Sequence, residues 1–356
     1  MAETKGTVLV ALGANLLVAV AKGVGGLVSG SAALMSEAAH SVADTLNEVF
    51  LLISLGRAER PADRSHPFGY GKERFFWSLL AAVGIFVSGA GYSLYEGISA
   101  LRGTGETPST KQFVIVYAVL LFSLVAEGAS LRTALKQVRT EADEAGRSPL
   151  AFVRASPDPT VKTVASEDAA AVVGVLVALA GTALHQITGA ELWDGIASLV
   201  IAGLLAYVAV VLGRDTKELL IGESADPAVR LTAYAVLRER PEVVAVREVL
   251  TMQLGPASVL VAVRLEFADD LTAGQLTDVC TELEQEMRQR VPSLQQVFLD
   301  PSRVTEQQEQ DLRERVRRTS QEMAGLDGEQ AVQNLRSRTV RRARENAQGS
   351  AGRRAS

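Results

Sequence analysis

The chain is predicted to fold as an all-α six-helix transmembrane domain followed by a small cytoplasmic α+β domain. Two observations predict this. Six stretches are long and apolar enough to cross a bilayer, whose hydrocarbon core needs ~20 such residues. After Arg214 the composition turns to a soluble pattern of alternating and helical apolar positions. Length and composition agree, since 356 residues with 47% hydrophobic content and positive mean hydropathy suffice for a membrane domain and one soluble module.

The expected spans are Thr7–Val28, Leu34–Leu55, Phe76–Leu101, Phe113–Leu135, Val161–Leu184 and Leu192–Leu212. Ser29-Gly30-Ser31 separates the first two, which predicts a helical hairpin, and His185–Glu191 is a similarly short link between the last two. Gly23, Gly25 and Gly26 in the first span and Gly84, Gly89 and Gly91 in the third permit close helix approach. The first apolar run has span length and no clear cleavage site, so it is expected to remain a membrane helix.

Charge distribution gives orientation. The loop after the second span carries Arg57, Arg60, Arg64, Lys72 and Arg74, and the loop after the fourth carries Arg139, Arg147 and Arg154. The opposite loops hold only Arg102 and Lys111, or no basic residue. By the positive-inside rule both termini are cytoplasmic. The net charge of −5 carries little information in a chain that sorts its charges by loop.

The soluble part reads as helix, strand, strand, helix, strand. Asp226-Pro227 starts a helix with Val229, Ala233, Val236 and Leu237 on one face. Strand-like runs flank Gly255-Pro256, the second alternating at Val259, Val261, Val263, Leu265 and Phe267. Leu276, Val279, Cys280, Leu283 and Met287 mark an amphipathic helix, and Gln296–Leu299 a last strand. The expected organisation is 1–213 for the transmembrane domain, 214–304 for the cytoplasmic domain and 305–356 for a charged tail. Seven arginines and one glutamate follow from Arg336 onward, a solvated tail that can also touch anionic lipid at ~1 kcal/mol per basic residue.

Ionisable residues inside a span are costly and mark function by default. His40 and Asp44 stand four apart in the second span, stacked on one helix face. Imidazole with carboxylate suits Zn²⁺ and tolerates Fe²⁺, Co²⁺ or Mn²⁺. The fifth span offers Glu167 and Asp168. Leu34 to Asp44 spans roughly 15 Å and Pro159 to Asp168 roughly 13 Å at the helical rise, so both carboxylates reach mid-membrane. His40, Asp44 and Asp168 are therefore the expected ligands, with Glu167 or water as the fourth. Glu167 and Asp168 point ~100° apart and cannot both aim at one ion without distortion.

Glu37, Asn47 and Glu48 share the second span, with Glu37 near its outer end. Lys22 either pairs with a buried carboxylate or snorkels to headgroups. Glu127 either neutralises a cation or pairs with a basic residue such as Arg132. His185 is expected at the membrane interface. The single cysteine, Cys280, excludes an intramolecular disulfide and a cysteine-based zinc site, and three histidines exclude a His-rich cage. No P-loop is present, which argues against an ATP-driven pump. No nucleophile–base pair or paired-His motif supports a membrane hydrolase, so no enzyme is expected.

The stretch from Ser31 through His40 to Asp44, the loop Pro61-Ala-Asp-Arg-Ser-His66-Pro-Phe-Gly-Tyr-Gly-Lys72 and Asp194-Gly-Ile-Ala-Ser198 resemble the cation diffusion facilitator family, over roughly residues 5–300. The resemblance implies a homodimer, joined through transmembrane and cytoplasmic domains, while a composition rich in Ala, Val, Arg and Gly points to a bacterial cell membrane. It implies six spans, a ferredoxin-like cytoplasmic domain and export of a divalent cation, usually Zn²⁺, in exchange for protons. The metal is then substrate, with no cofactor and no nucleic-acid partner. Mn²⁺ or Fe²⁺ export, and a transport-inactive scaffold of the same fold, are the alternatives. Glu167-Asp168 is similar to the branch of human zinc transporter nine. Three positions depart from the family: Val164 replaces the usual ligand before Asp168, Tyr70 replaces a loop His beside Asp63 and His66, and no His occurs after residue 185.

Overall fold

A computed structural model describes residues 5–103, 109–144, 146–156 and 158–302. The tail expected after residue 304 lies outside the described residues. Its helices are α1 (Lys5–Ser29), α2 (Ala32–Ala58), α3 (Glu73–Gly84), α4 (Tyr92–Leu101), α5 (Thr110–Glu144), α6 (Pro149–Ala155), α7 (Pro159–Thr188), α8 (Leu192–Ile221), α9 (Pro227–Arg238) and α10 (Ala273–Arg290). A π-helical turn, Ile85–Gly91, joins α3 to α4 as one continuous span. The strands are β1 (Val243–Gly255), β2 (Ser258–Phe267) and β3 (Leu294–Pro301). The chain divides into two compact units, one of Met1–Ala233 with Leu250–Val261 and Glu284–Val297, the other of Tyr234–Val249 with Ala262–Leu283 and Phe298–Ser356.

Five helical segments among the described residues are long and apolar enough to cross a membrane: α1, the α3–α4 span, α5, α7 and α8. The sixth expected span, α2, has 27 residues but carries Glu37, His40, Asp44, Asn47 and Glu48, which remove it from that set. It is nonetheless the most enclosed helix, with Ala33 and Leu34 fully buried and those polar residues turned inward. Polar cost forces it inside, because lipid offers no hydrogen-bond partners.

Local chemistry explains the boundaries. Gly30 turns the α1–α2 hairpin at φ 72°, a left-handed conformation that glycine adopts freely. Ser31 caps α2, its Oγ accepting from Leu34 N–H at 3.2 Å and donating to Asp194 Oδ1 at 3.2 Å. Asp194, at the start of α8, also accepts the Ala33 N–H through Oδ2 at 3.2 Å. One buried carboxylate thus satisfies an α2 terminus that would otherwise leave free donors in an apolar setting. α8 runs past the expected end at Leu212 to Ile221, and α5 past Leu135 to Glu144. Both continue as polar helix, because helical propensity persists where apolarity ends.

Small residues set the helix spacing at Gly25, Gly26 and Gly89 as expected, whereas Gly23 meets no neighbour, and the closest crossing involves two glycines not singled out in the sequence. A Cβ at Gly97 would lie 2.8 Å from Leu199 and 3.1 Å from Gly195 O, and one at Gly195 would lie 3.2 Å from Gly97 O. α4 and α8 therefore cross glycine on glycine. The π-turn was not anticipated. Its Gly89 leaves room for Leu205 of α8 and faces Ala43 of α2, and the Ser88 hydroxyl donates to Gly84 O at 2.6 Å. His185, near the end of α7, is buried and meets the Phe113 ring edge-to-face at 5.5 Å.

The strands form one sheet in the order β1-β2-β3. β1 and β2 are a hairpin through Pro256-Ala257. Val259 N–H donates to Ser293 O and Ser302 N–H to Leu265 O, so β3 runs in the same sense as β2, with α10 as the crossover between them. Val259, Val261, Val263 and Leu265 are buried while Arg264 is exposed, as the alternation foretold. On α10, Val279, Leu283 and Met287 are buried and Cys280 is half-buried, where burial raises its thiol pKa.

Asp194→Ala removes a charged acceptor from two α2 donors and should cost about 1–3 kcal/mol. Thermal unfolding in detergent should register this as a lower Tm, and Asp194→Asn should lose less. An unchanged Tm in Asp194→Ala would mean that water caps α2 equally well.

Candidate metal site

Four helices enclose a cavity of about 300 Å³. Its wall is made by Asn15 and Val18 of α1, Asp44, Asn47 and Glu48 of α2, Glu127 and Ser130 of α5, and Glu167 and Asp168 of α7, among others. Every lining residue comes from the first part of α1 and α7 or the last part of α2 and α5. The cavity therefore occupies one half of the bundle and ends blindly near Val18, Asp44 and Glu127.

Three of the four residues expected to bind metal line this cavity: Asp44, Glu167 and Asp168. His40 lies one turn beyond Asp44 at the blind end, 1% exposed, with Nδ1 3.5 Å from Asp44 Oδ1. Neither ring nitrogen of His40 has a hydrogen-bond partner, and neither do Asp44 Oδ1 and Glu167 Oε1. Orphaned buried acceptors of this kind are costly unless a cation or water meets them.

The two adjacent acids of α7 point to different helices, as the 100° step requires. Glu167 Oε2 accepts from Asn47 Nδ2 of α2 at 2.6 Å, and Asp168 Oδ2 accepts from Ser130 Oγ of α5 at 2.9 Å. Asn15 Nδ2 of α1 donates to Glu48 Oε1 at 2.8 Å. Among the described residues no three His, Cys, Asp or Glu side chains stand close enough to hold an ion as they are. The donors share one cavity wall without being gathered onto one point.

The open alternatives for Lys22 and Glu127 resolve together. Lys22 is fully buried and donates to Glu37 Oε2 at 3.0 Å, Ser41 Oγ at 2.9 Å and Glu127 Oε1 at 3.3 Å. Glu127 thus pairs with Lys22 and not with Arg132, and Lys22 does not reach for headgroups. Glu37, expected near the outer end, is wholly enclosed. Ser41 and Ser130 gave no sequence signal of their own. Their spacing of four from Glu37 and three from Glu127 on the same helices was the available clue.

The loop between α2 and α3 uses its polar groups on itself. Asp63 Oδ1 accepts from the Ser65 and His66 N–H groups at 2.8 Å each, and the Tyr70 hydroxyl donates to Asp63 Oδ2 at 2.7 Å. The His66 ring lies 4.2 Å from that of Tyr70, and the Arg60 guanidinium sits 4.5 Å over the Tyr70 ring. Both Asp63 oxygens are occupied within the loop. The Tyr70 hydrogen bond, with the two backbone N–H groups, holds the Asp63 carboxyl below its ordinary range and pushes the Tyr70 phenol up. Tyr70→Phe should therefore raise the Asp63 titration point towards the ordinary aspartate value near 3.9, read by NMR. An unmoved titration would mean that backbone N–H groups alone set it.

The model of the cation efflux transmembrane domain matches residues 8–221. The chain is 34% identical over 260 residues to the mitochondrial proton-coupled zinc antiporter SLC30A9 of Homo sapiens, covering 73% of this chain and 45% of that protein. It is 34% identical to metal tolerance protein C4 of Arabidopsis thaliana, covering 67% of this chain and 52% of the relative. It is 28% identical to the manganese efflux system protein MneP of Bacillus subtilis, covering 82% and 93%. The chain spans about half the length of the first two. A domain match over more than half of the sequence, with relatives above 30% identity, establishes that this chain belongs to the cation diffusion facilitator family.

Proposed function

We propose that the chain exports a divalent metal cation, Zn²⁺ in the first instance, by exchange for protons through alternating access. The observation that carries this reading is the half-bundle cavity whose wall holds Asp44, Glu167 and Asp168, with the unpartnered His40 imidazole at its blind end. In this reading the cation enters from the cytoplasmic side and draws Asp44, Asp168 and His40 onto itself. Glu167 leaves Asn47 to complete the set, standing in for the ligand absent at Val164. The metal is substrate, and the protein supplies oxygen and imidazole donors in a water-poor site where opposite charges attract strongly.

Metal binding needs a neutral imidazole and ionised carboxylates, so protons and metal compete for the same atoms. Protonation from the outer side would then release the cation, and the proton gradient would drive export. The family match supports six spans, α2 being the sixth, enclosed because of its polar cargo site. Basic loops support both termini being cytoplasmic, and the composition, rich in Ala, Val, Arg and Gly, supports a bacterial cell membrane. We assign residues 1–213 to the transport domain and 214–304 to a cytoplasmic ferredoxin-like domain, with homodimerisation through both. Basic loops and apolar helix faces would meet membrane lipid.

Mn²⁺ is the second reading. The cavity wall offers only oxygen donors, since His40 is outside it, and oxygen-rich sites suit Mn²⁺. The resemblance to a manganese efflux protein points the same way.

In proteoliposomes, Zn²⁺ flux should follow an imposed pH gradient and slow as the metal-loading side is acidified. Asp44→Ala should abolish it, and undiminished flux in that variant would sink the site assignment. In wild-type vesicles loaded in turn with Zn²⁺, Mn²⁺ and Fe²⁺, Zn²⁺ should move fastest; faster Mn²⁺ movement would favour the second reading. Purified protein that binds none of the three by calorimetry would favour a transport-inactive scaffold.

A further inference from the structure

A buried ammonium among the membrane helices is not used by the proposed transport chemistry. Lys22 is fully buried on α1, one turn beyond Val18, the last cavity-lining residue of that helix. Its partners lie equally beyond the cavity: Glu37 and Ser41 precede Asp44 on α2. Its third partner, Glu127 of α5, belongs to both places, lining the cavity and bonding Lys22 at 3.3 Å. The fourth cavity helix joins from the other side. Glu37 Oε1 has no hydrogen-bond partner and presses on α7 at Gly174, where a Cβ would collide with it. All four helices that enclose the cavity thus meet at its blind end on one ammonium and one carboxylate.

Beyond this charged layer comes an apolar one. Leu34, Val116 and Leu120 are buried at 0–2% exposure, and Gly25 admits Leu34 and Val119 so closely that a Cβ there would lie 3.1 Å from each. A cation in the cavity can leave on the far side only by parting both layers. A plain structural pin between helices would be cheaper with neutral groups, because a buried ammonium must recover its desolvation from its partners.

We propose that Lys22, held by Glu37 and Glu127, is the closed outer gate of the cation cavity. The inference rests on the exporter reading. Lys22 occupies the exit as a tethered cation and shares Glu127 with the incoming metal. A divalent ion drawing on Glu127 loosens Lys22 from one side, which links filling of the cavity to opening beyond it. Lys22 is a gating and positioning residue and does not itself ligate the metal.

Ser123 reports on the gate. It is fully buried on α5, one turn outward of Glu127, with an unpartnered hydroxyl. In full-length protein carrying Cys280→Ser and Ser123→Cys, reconstituted in vesicles, a membrane-impermeant methanethiosulfonate would be added on the outer face. Parent protein should label slowly without metal. Lys22→Gln should label on the order of tenfold faster, as the closed state loses population. Lys22→Arg should stay near the parent. Gly174→Ala, which pushes a Cβ into Glu37, should behave like Lys22→Gln. Zn²⁺ and Mn²⁺ binding by calorimetry should persist in every variant, because the ligands are untouched.

Equal labelling rates in parent, Lys22→Gln and Gly174→Ala would overturn the gate. If Lys22→Gln does not fold, parent-like labelling in Gly174→Ala overturns it and faster labelling supports it. A parent that binds neither metal overturns the exporter reading and the gate with it. A parent that binds metal but labels without regard to Lys22 overturns the gate alone.

Discussion

Charge that enters an apolar bundle must be answered there, and the Lys22 ammonium is the group around which this protein answers it. Its three partners come from α2 and α5, and its carboxylate partner Glu37 abuts α7. Removing one member of such a buried set typically costs about 3–5 kcal/mol, since the others are left uncompensated. The enclosure of α2 follows. α2 cannot face lipid with Glu37, His40, Asp44, Asn47 and Glu48 on it, and α1, α3, α4, α7 and α8 all pack against it.

The same logic governs the cavity. Of the carboxylates on its wall, Glu167 is tied to Asn47, Asp168 to Ser130 and Glu127 to Lys22. Asp44 keeps one oxygen without a hydrogen bond, and His40 keeps both nitrogens so. The oxygens committed to α2 and α5 help hold α7 in place, and in the proposed reading a cation must compete for some of them. Glu167 both ties α7 to Asn47 of α2 through its Oε2 and keeps its Oε1 without a hydrogen-bond partner. Elsewhere the bundle is held by close contact, with Gly97 against Gly195 and Gly89 beneath Leu205, and by the Asp194 carboxylate over the start of α2.

Much of this was legible in advance. Apolar length located five of the six expected membrane helices, and the Ser-Gly-Ser turn, the Asp226-Pro227 start and the alternation through Val259–Leu265 each appear as read. Lys22, Glu127 and Glu37 were visible as costly residues, but their partners were not. Residues 22, 37 and 127 are far apart in sequence, and only helix packing decides which carboxylate an ammonium meets. The π-turn at Ile85–Gly91 left no mark in periodicity. It inserts one extra residue per turn within Ile85–Gly91, a run of apolar and small residues with no charged face from which a phase shift can be read.

By itself the sequence determined which helices are long and apolar enough to cross a membrane, which ionisable residues stand on the helices of the bundle and the order of elements after it. These depend on local composition and on the spacing of residues along one helix or strand, which the chain states directly. The tertiary structure alone decided that Asp44, Glu167 and Asp168 share one cavity while His40 stands at its blind end. It also decided that Lys22 joins Glu37 and Glu127 beyond that end. The physical reason is that depth along a helix is a property of one segment, whereas azimuth, which sets what a buried charge faces, is fixed only when neighbouring helices pack.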